Sequence, residues 1–247
     1  MGLYLGSNSA KINLKSEDSP NLKSLVDRTI VTYNNSQITT IGSYTFYSCS
    51  LLTTISLPQA TTIGTYAFGY CSSLTSVKLP QATTIDGYAF EYCSSLTAVN
   101  LPQATTIGSY AFGYCSSLTT VSLPQVTTIN GYVFVRCSSL TTVNLPKVTI
   151  IGMDAFYSCF SLTTVNLPQV TTISNYAFES CYNLLSLYLP GSSVVSLGLY
   201  VFNSTPISDY TTSTGGVYGS IYVPASLYNS YIIASNWSAH SARIVSI

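Results

Sequence analysis

The sequence repeats itself every 22 residues, and that period constrains the fold more than any other feature of the chain. From Cys71 it runs C-S-S-L-T-S-V-K-L-P-Q-A-T-T-I-D-G-Y-A-F, and from Cys93 C-S-S-L-T-A-V-N-L-P-Q-A-T-T-I-G-S-Y-A-F. Cys49, Cys71, Cys93, Cys115, Cys137, Cys159 and Cys181 stand in one register. So do the phenylalanines from Phe46 to Phe178 and the prolines from Pro58 to Pro190. A period of this size belongs to solenoids, in which one unit cannot bury its apolar face without a copy above and a copy below. Stability must then come from the stack.

One unit can be read residue by residue. Along Ser76-Val77-Lys78-Leu79 apolar and polar side chains alternate, so a short strand points Val77 and Leu79 inward and Ser76 and Lys78 outward. Pro80 has no N–H for a ladder and ends the strand. Ala82 and Ile85 give a second inward edge, and Asp86-Gly87 is a turn signal. Tyr88-Ala89-Phe90 opens a short helical or 3-10 turn, and Phe90 and Cys93, three apart, both face the core from it. Every coil winds the same way, so the strands run parallel. Stacking in register sets each Phe on the one before it, about 4.8 Å away. Full burial of each such side chain stabilises by about 1.5–3 kcal/mol.

The spacing of Leu74, Val77 and Leu79 is that of a leucine-rich repeat strand. The L-x-x-V-x-L-P strand, the T-T-I-G that follows, then Y-A-F and the Cys three residues on together resemble the BspA-like class of bacterial leucine-rich repeats. The resemblance covers Ile30 to Pro190 and, more loosely, the C-terminal region. It implies a right-handed leucine-rich repeat solenoid with a parallel β-sheet on the concave face and short helical or 3-10 turns on the convex face. It also implies a non-enzymatic protein of the bacterial surface, acting in adhesion or host interaction by binding a protein or a glycan.

Taken in order, residues 1–29 read as an N-terminal cap, 30–207 as the solenoid, and 208–247 as a last strand, a loop and a C-terminal cap, all one continuous domain. In the first segment Leu3-Tyr4-Leu5 and Lys11 to Leu14 read as short strands, and Ser19 to Val26 as a helix with Ser19 as N-cap. After Pro190 the pattern slips by two residues: Leu197 and Phe202 take the Ile and Phe positions, and Thr205 stands where Cys is due. Ser208 to Ser220 reads as an inserted flexible loop, and Ile221-Tyr222-Val223-Pro224 restores the strand. Ala225 to Ser235 reads as a helix with Leu227, Tyr231 and Ala234 on one face; Trp237 and Ile244 to Ile247 complete the cap.

Charged residues make up 6% of the chain, against about 25% in an average protein, so the surface must be built from Ser, Thr, Asn, Gln and Tyr. Net charge is zero and no basic stripe exists, which argues against nucleic acid and against docking on anionic lipid. No apolar run reaches about 18 residues, so no membrane insertion is expected. Met1 to Gly6 lacks the charged and apolar regions of a signal peptide, and Gly6 fails the myristoylation pattern. The expected location is extracellular or at the cell surface, with a phage virion or the cytoplasm as alternatives. The matching alternative function is a structural or receptor-binding component of a phage or mobile element.

Candidate chemistry is sparse. The cysteines form a straight column with parallel side chains, poor geometry for disulfides and wrong for a zinc site, so a buried, reduced ladder is expected and no metal. His240, the one histidine, reads as a surface or cap residue with no nucleophile beside it. Asp86, Glu91, Asp154, Glu179 and Asp209 are isolated, which disfavours paired-carboxylate chemistry. No phosphate-binding glycine motif is present. An enzyme is therefore not expected, nor any cofactor or catalytic residue.

Binding positions fall in columns. The concave row is Ser56, Lys78, Asn100, Ser122, Asn144, Asn166 and Tyr188, beside Thr54, Ser76, Ala98, Thr120, Thr142, Thr164 and Ser186. In solenoids this extended face is the usual binding surface. The alternative is the convex column Tyr70, Tyr92 and Tyr114, next to a longer one of Tyr44, Tyr66, Tyr88, Tyr110, Tyr132 and Tyr176. Stacked tyrosines can be purely structural, with rings covering the coil edge and hydroxyls in water.

Overall fold

The computed structural model describes residues 2–4, 11–13, 32–208 and 218–247. Two strands, β1 (Gly2–Tyr4) and β2 (Lys11–Asn13), pair antiparallel near the start. The helix read over Ser19 to Val26 lies outside the described residues, as does the start of the first coil at Ile30-Val31.

From Thr32 each coil contributes a three-residue strand and a two-residue strand. Coil one holds β3 (Thr32–Asn34) and β4 (Thr40–Ile41), coil two β5 (Thr54–Ser56) and β6 (Thr62–Ile63). Coil three holds β7 (Ser76–Lys78) and β8 (Thr84–Ile85), coil four β9 (Ala98–Asn100) and β10 (Thr106–Ile107). Coil five holds β11 (Thr120–Ser122) and β12 (Thr128–Ile129), coil six β13 (Thr142–Asn144) and β14 (Ile150–Ile151). Coil seven holds β15 (Thr164–Asn166) and β16 (Thr172–Ile173), coil eight β17 (Ser186–Tyr188) and β18 (Ser196–Leu197). The ninth turn is β19 (Ser220–Val223), followed by β20 (Ile244–Ser246).

Pairing from coil to coil is parallel and in register: Thr54 faces Ser76, Thr120 faces Thr142, and Ile151 faces Ile173. The Thr-Ile segments form a second parallel ladder rather than merely an inward edge. The ladders are not continuous. The three-residue strands pair as β3–β5–β7, β9–β11–β13 and β15–β17–β19–β20, and the two-residue strands as β4–β6–β8–β10 and β12–β14–β16–β18. The lapses are staggered, so no single plane cuts both ladders. Val77 and Val143, on the strands before the two lapses of the three-residue ladder, are only half buried.

The core is a set of columns. Phe46, Phe68, Phe90, Phe112, Phe134, Phe156, Phe178 and Phe202 are buried and stacked with interplanar angles of 2–20°. The spacing is 5.2 Å for Phe46–Phe68 and widens to 5.8 Å for Phe112–Phe134, beside the lapse between β10 and β12. Leu, Val, Ile and Ala columns complete the interior. Hydroxyls replace charges as the polar link between coils: the Thr75 hydroxyl donates to the Thr53 carbonyl at 3.0 Å, and Thr119 to Thr97 at 2.9 Å. Such neutral ladders explain how a chain with so few charges keeps its rim satisfied.

Glycine enters where backbones nearly touch. A Cβ at Gly108 would stand 2.2 Å from the Gly87 nitrogen, and one at Gly152 would stand 2.6 Å from the Gly131 nitrogen, so neither position admits a side chain without moving the neighbouring coil.

The turn that carries Phe and Cys differs from the helical reading. It is a run of hydrogen-bonded turns interrupted at two left-handed residues per coil, with φ of 53–63°. Most of these residues are tyrosine, as at Tyr66 and Tyr70. Left-handed backbone at a bulky residue costs about 1–3 kcal/mol. Here it turns alternate N–H groups along the stack: Tyr66 donates to the Gly87 carbonyl at 3.3 Å, Phe68 to Ala89 at 2.8 Å and Tyr70 to Glu91 at 2.7 Å. A continuous 3-10 turn would spend those donors within the coil, and the coils would lose a third line of attachment.

The slip after Pro190 is absorbed as read. Leu197 pairs with Ile173, Phe202 stacks on Phe178, and Thr205 is buried with its hydroxyl on the Phe202 carbonyl at 2.7 Å. Ser208 is buried and the Gly219 N–H donates to the Pro206 carbonyl at 2.8 Å, so the base of the insertion belongs to the coil rather than to a flexible loop. Residues 209–217 of that loop lie outside the described residues. The helix read over Ala225 to Ser235 is a 3-10 turn (Ala225–Leu227) followed by α1 (Tyr228–Ile233), and a second 3-10 turn spans Ser238–Arg243. This segment covers the edge of β18: Trp237 Nε1 donates to the Val195 carbonyl at 2.6 Å, Asn236 to the Leu197 carbonyl at 2.6 Å, and the Val195 N–H donates to the Tyr231 hydroxyl at 3.1 Å. An open strand edge is thereby closed by side chains.

Candidate functional site

The outward positions of the three-residue strands form one polar row. Ser56 pairs with Lys78, Ser122 with both Asn100 and Asn144, and Asn166 with Tyr188. Lys78, Asn100, Asn144 and Asn166 are exposed, while Ser56, Ser122 and Tyr188 are half buried. The Asn144 amide reaches the Ser122 hydroxyl at 3.3 Å. The lapses beside β7 and β13 fall directly after Lys78 and Asn144. Tyr188 is not alone: Tyr222, its register partner on β19, stacks on it at 4.4 Å and 10°. Sequence reading passed over Tyr222 because the inserted loop puts it out of the period.

A second surface lies on the turns. Tyr66, Tyr88, Tyr110 and Tyr132 stack at 4.5–4.9 Å, and Tyr70, Tyr92 and Tyr114 at 4.6 and 4.3 Å. Tyr44 extends the first ladder at 5.1 Å, and Tyr47 bridges the two, edge-on to Tyr66 and Tyr70. The first ladder ends at Asp154, so Tyr176 is separated from it and stacks on Tyr200 instead. The second ends in Arg136, whose guanidinium lies 5.9 Å from the centre of the Tyr114 ring.

The cysteine side chains are buried, and none is joined in a disulfide among the described residues. From Cys71 to Cys181 each Sγ–H donates to the carbonyl oxygen of the Phe in the preceding coil, at 3.1–3.2 Å. Burial pushes these thiols far up, Cys181 to about 12, so they are neutral donors rather than nucleophiles. Among the described residues no three His, Cys, Asp or Glu side chains converge to hold a metal ion.

His240 sits in the second 3-10 turn, edge-on to Phe202 at 5.3 Å, and lines a cavity of about 240 Å³ with Tyr200, Asn203 and Asn236. Of the acids, Glu91 is buried, and Asp154 and Glu179 are held above the usual carboxylate range by desolvation. The Asp154 charge adds a smaller rise at Glu179. No described helix is long and apolar enough to cross a membrane.

The model of the BspA type leucine rich repeat region matches the chain in six copies, over residues 28–125 and 105–217. Among solved structures, the leucine-rich repeat protein of T. pallidum is 30% identical, with a TM-score of 0.51 over 70% of this chain and 76% of that one. A leucine-rich repeat protein from Bacteroides ovatus is 18% identical, with a TM-score of 0.43 over 75% of this chain and 59% of that one. An internalin C2 from Listeria monocytogenes is 16% identical, with a TM-score of 0.46 over 68% of this chain and 81% of that one. No curated protein matches the sequence.

Proposed function

The chain belongs to the BspA type leucine-rich repeat family, and we propose that it is a non-enzymatic binding module of the bacterial surface that holds a protein or a glycan chain along the outward row of its three-residue strands. Repeat solenoids of this kind are binding scaffolds that use their extended sheet. The observation that carries the reading is where the row departs from Ser, Thr and Asn. A cation stands at Lys78, and a stacked aromatic pair stands at Tyr188 and Tyr222. Such side chains dominate specific interfaces, while small polar residues supply complementarity. Lys78 and Tyr188 are five repeats apart, roughly 24 Å at one strand spacing per repeat. That span suits an extended polymer rather than a small metabolite.

A matrix-protein and glycan array with the purified chain finds the ligand, and three variants then locate its site. Tyr188→Ala is expected to weaken binding at least about tenfold and Lys78→Ala by less, with Tyr92→Ala unchanged. Loss of binding on Tyr92→Ala, with both strand-face variants intact, would move the site to the Tyr70, Tyr92 and Tyr114 ladder.

A further inference from the structure

Coil eight is the last to carry the phenylalanine turn, and its outer side differs from that of every coil before it. Each phenylalanine from Phe46 to Phe178 gives its N–H to a carbonyl of the coil after it, as Phe156 does to Ala177 at 2.9 Å and Phe178 to Val201 at 3.1 Å. Phe202 has no such turn beyond it, because β19 runs into Pro224 and the C-terminal cap. It is 0% exposed, and among the described residues no acceptor reaches its N–H. Buried N–H groups without an acceptor are rare in proteins. The cavity of about 240 Å³ lies at this place. Its walls include Tyr200, Phe202 and Asn203 from coil eight and Asn236 and His240 from the cap, and nothing from coil seven. Tyr200 ends its ladder: Tyr176 stacks on one face at 5.4 Å, and the ring is 56% exposed. Tyr176 does not line the cavity, so the space lies on the other side of the Tyr200 ring. Asn236 Nδ2 is held on the Leu197 carbonyl, so Oδ1 is the atom this amide offers a ligand. Among the described residues no acid, lysine or arginine lines the space.

We propose that this cavity binds one neutral hexopyranose, the terminal sugar of a glycan. A pyranose brings a flat C–H face for the open side of Tyr200, an oxygen to accept from the Phe202 N–H, and hydroxyls to donate to Asn236 Oδ1. An aromatic wall with a few placed polar groups is the usual make-up of a small-molecule site. The volume is below the roughly 300–1,000 Å³ of drug-sized pockets, which limits the occupant to a single ring. It is well above the roughly 30 Å³ of one water, so a lone bridging water does not fill it. A carboxylate or an ammonium would lose its hydration here with no ion pair to offset the loss.

This site is independent of the strand-face reading and is tested separately. The methyl glycosides of glucose, galactose, mannose and N-acetylglucosamine are titrated one at a time into the whole chain at millimolar concentration and followed by amide chemical shifts, with open-chain sorbitol as control. At least one glycoside is expected to give saturable shifts at Tyr200, Phe202 and Asn236, and sorbitol none. Tyr200→Ala removes an exposed ring and is expected to weaken binding at least about fivefold. Ala239→Leu, at an exposed position of the cavity wall, is expected to block it, and Tyr188→Ala to leave it unchanged. The proposal is overturned by no saturable shift at Phe202 with any of the four, which leaves its N–H to water alone, or by an equal response to sorbitol. Undiminished binding by Tyr200→Ala, or loss of binding on Tyr188→Ala, would overturn it as well.

Discussion

Raising the pH from about 8 to about 11 with the thiols kept reduced is expected to remove most of the stability of this protein. Six thiols, Cys71, Cys93, Cys115, Cys137, Cys159 and Cys181, are raised above their ordinary value of 9.0, chiefly because burial penalises the thiolate. Below that value folded and unfolded chains both keep their protons, and the column contributes in full. Above it the unfolded chain releases protons that the folded chain retains, so stability falls with rising pH until folded thiols also ionise, for Cys181 at about 12. Each thiol contributes a slope of at most about 1.4 kcal/mol per pH unit, and six together about 8. A typical domain has only about 5–15 kcal/mol in total. Urea melts at the two pH values check this, and Cys115→Ala is expected to remove about one sixth of the thiol contribution to the decline. Midpoints that do not move would contradict it.

Phe112→Ala in coil four is expected to cost about 3–5 kcal/mol, as truncation of a fully buried aromatic does. The ring is 0% exposed and stacks on Phe90 at 5.4 Å and Phe134 at 5.8 Å. Its loss opens a cavity between two coils that the flanking rings cannot fill without breaking their own stacks. Tyr110→Ala, two residues away on the half-buried ladder, is expected to cost clearly less. It loses ring contacts with Tyr88 and Tyr132 at 4.9 and 4.5 Å, but the hole it leaves is open to water. Equal losses in denaturant melts would mean that the tyrosine ladders carry as much of the fold as the phenylalanine column.

Period and polarity made most of the architecture legible from the residues. The alternation at Val77 and Leu79, the stop at Pro80, and the inward Phe and Cys needed no tertiary information, because every copy met the same neighbours. What escaped depended on contacts between copies. Left-handed backbone is normally assigned to Gly or Asn. Tyr66 and Tyr70 adopt it because the next coil takes their N–H groups, and no single-coil reading contains that partner. Glu91 read as an isolated acid, and its burial depends on neighbouring coils that no single-coil reading contains. Tyr222 joined Tyr188 across an insertion that shifts the period, and Tyr200 joined Tyr176 across the two-residue slip. The lapses after β7 and β13 have no counterpart in the repeat sequence, which is nearly the same on both sides of each.

The account rests on coils that stack around a dry, neutral column, and counting reactive thiols tests that most directly. A small thiol reagent is added to the native protein and to the unfolded protein, both without reductant. The buried column predicts almost no labelling in the folded state and all seven thiols after unfolding. Fast labelling of the native protein, or fewer than seven thiols after unfolding, would contradict it.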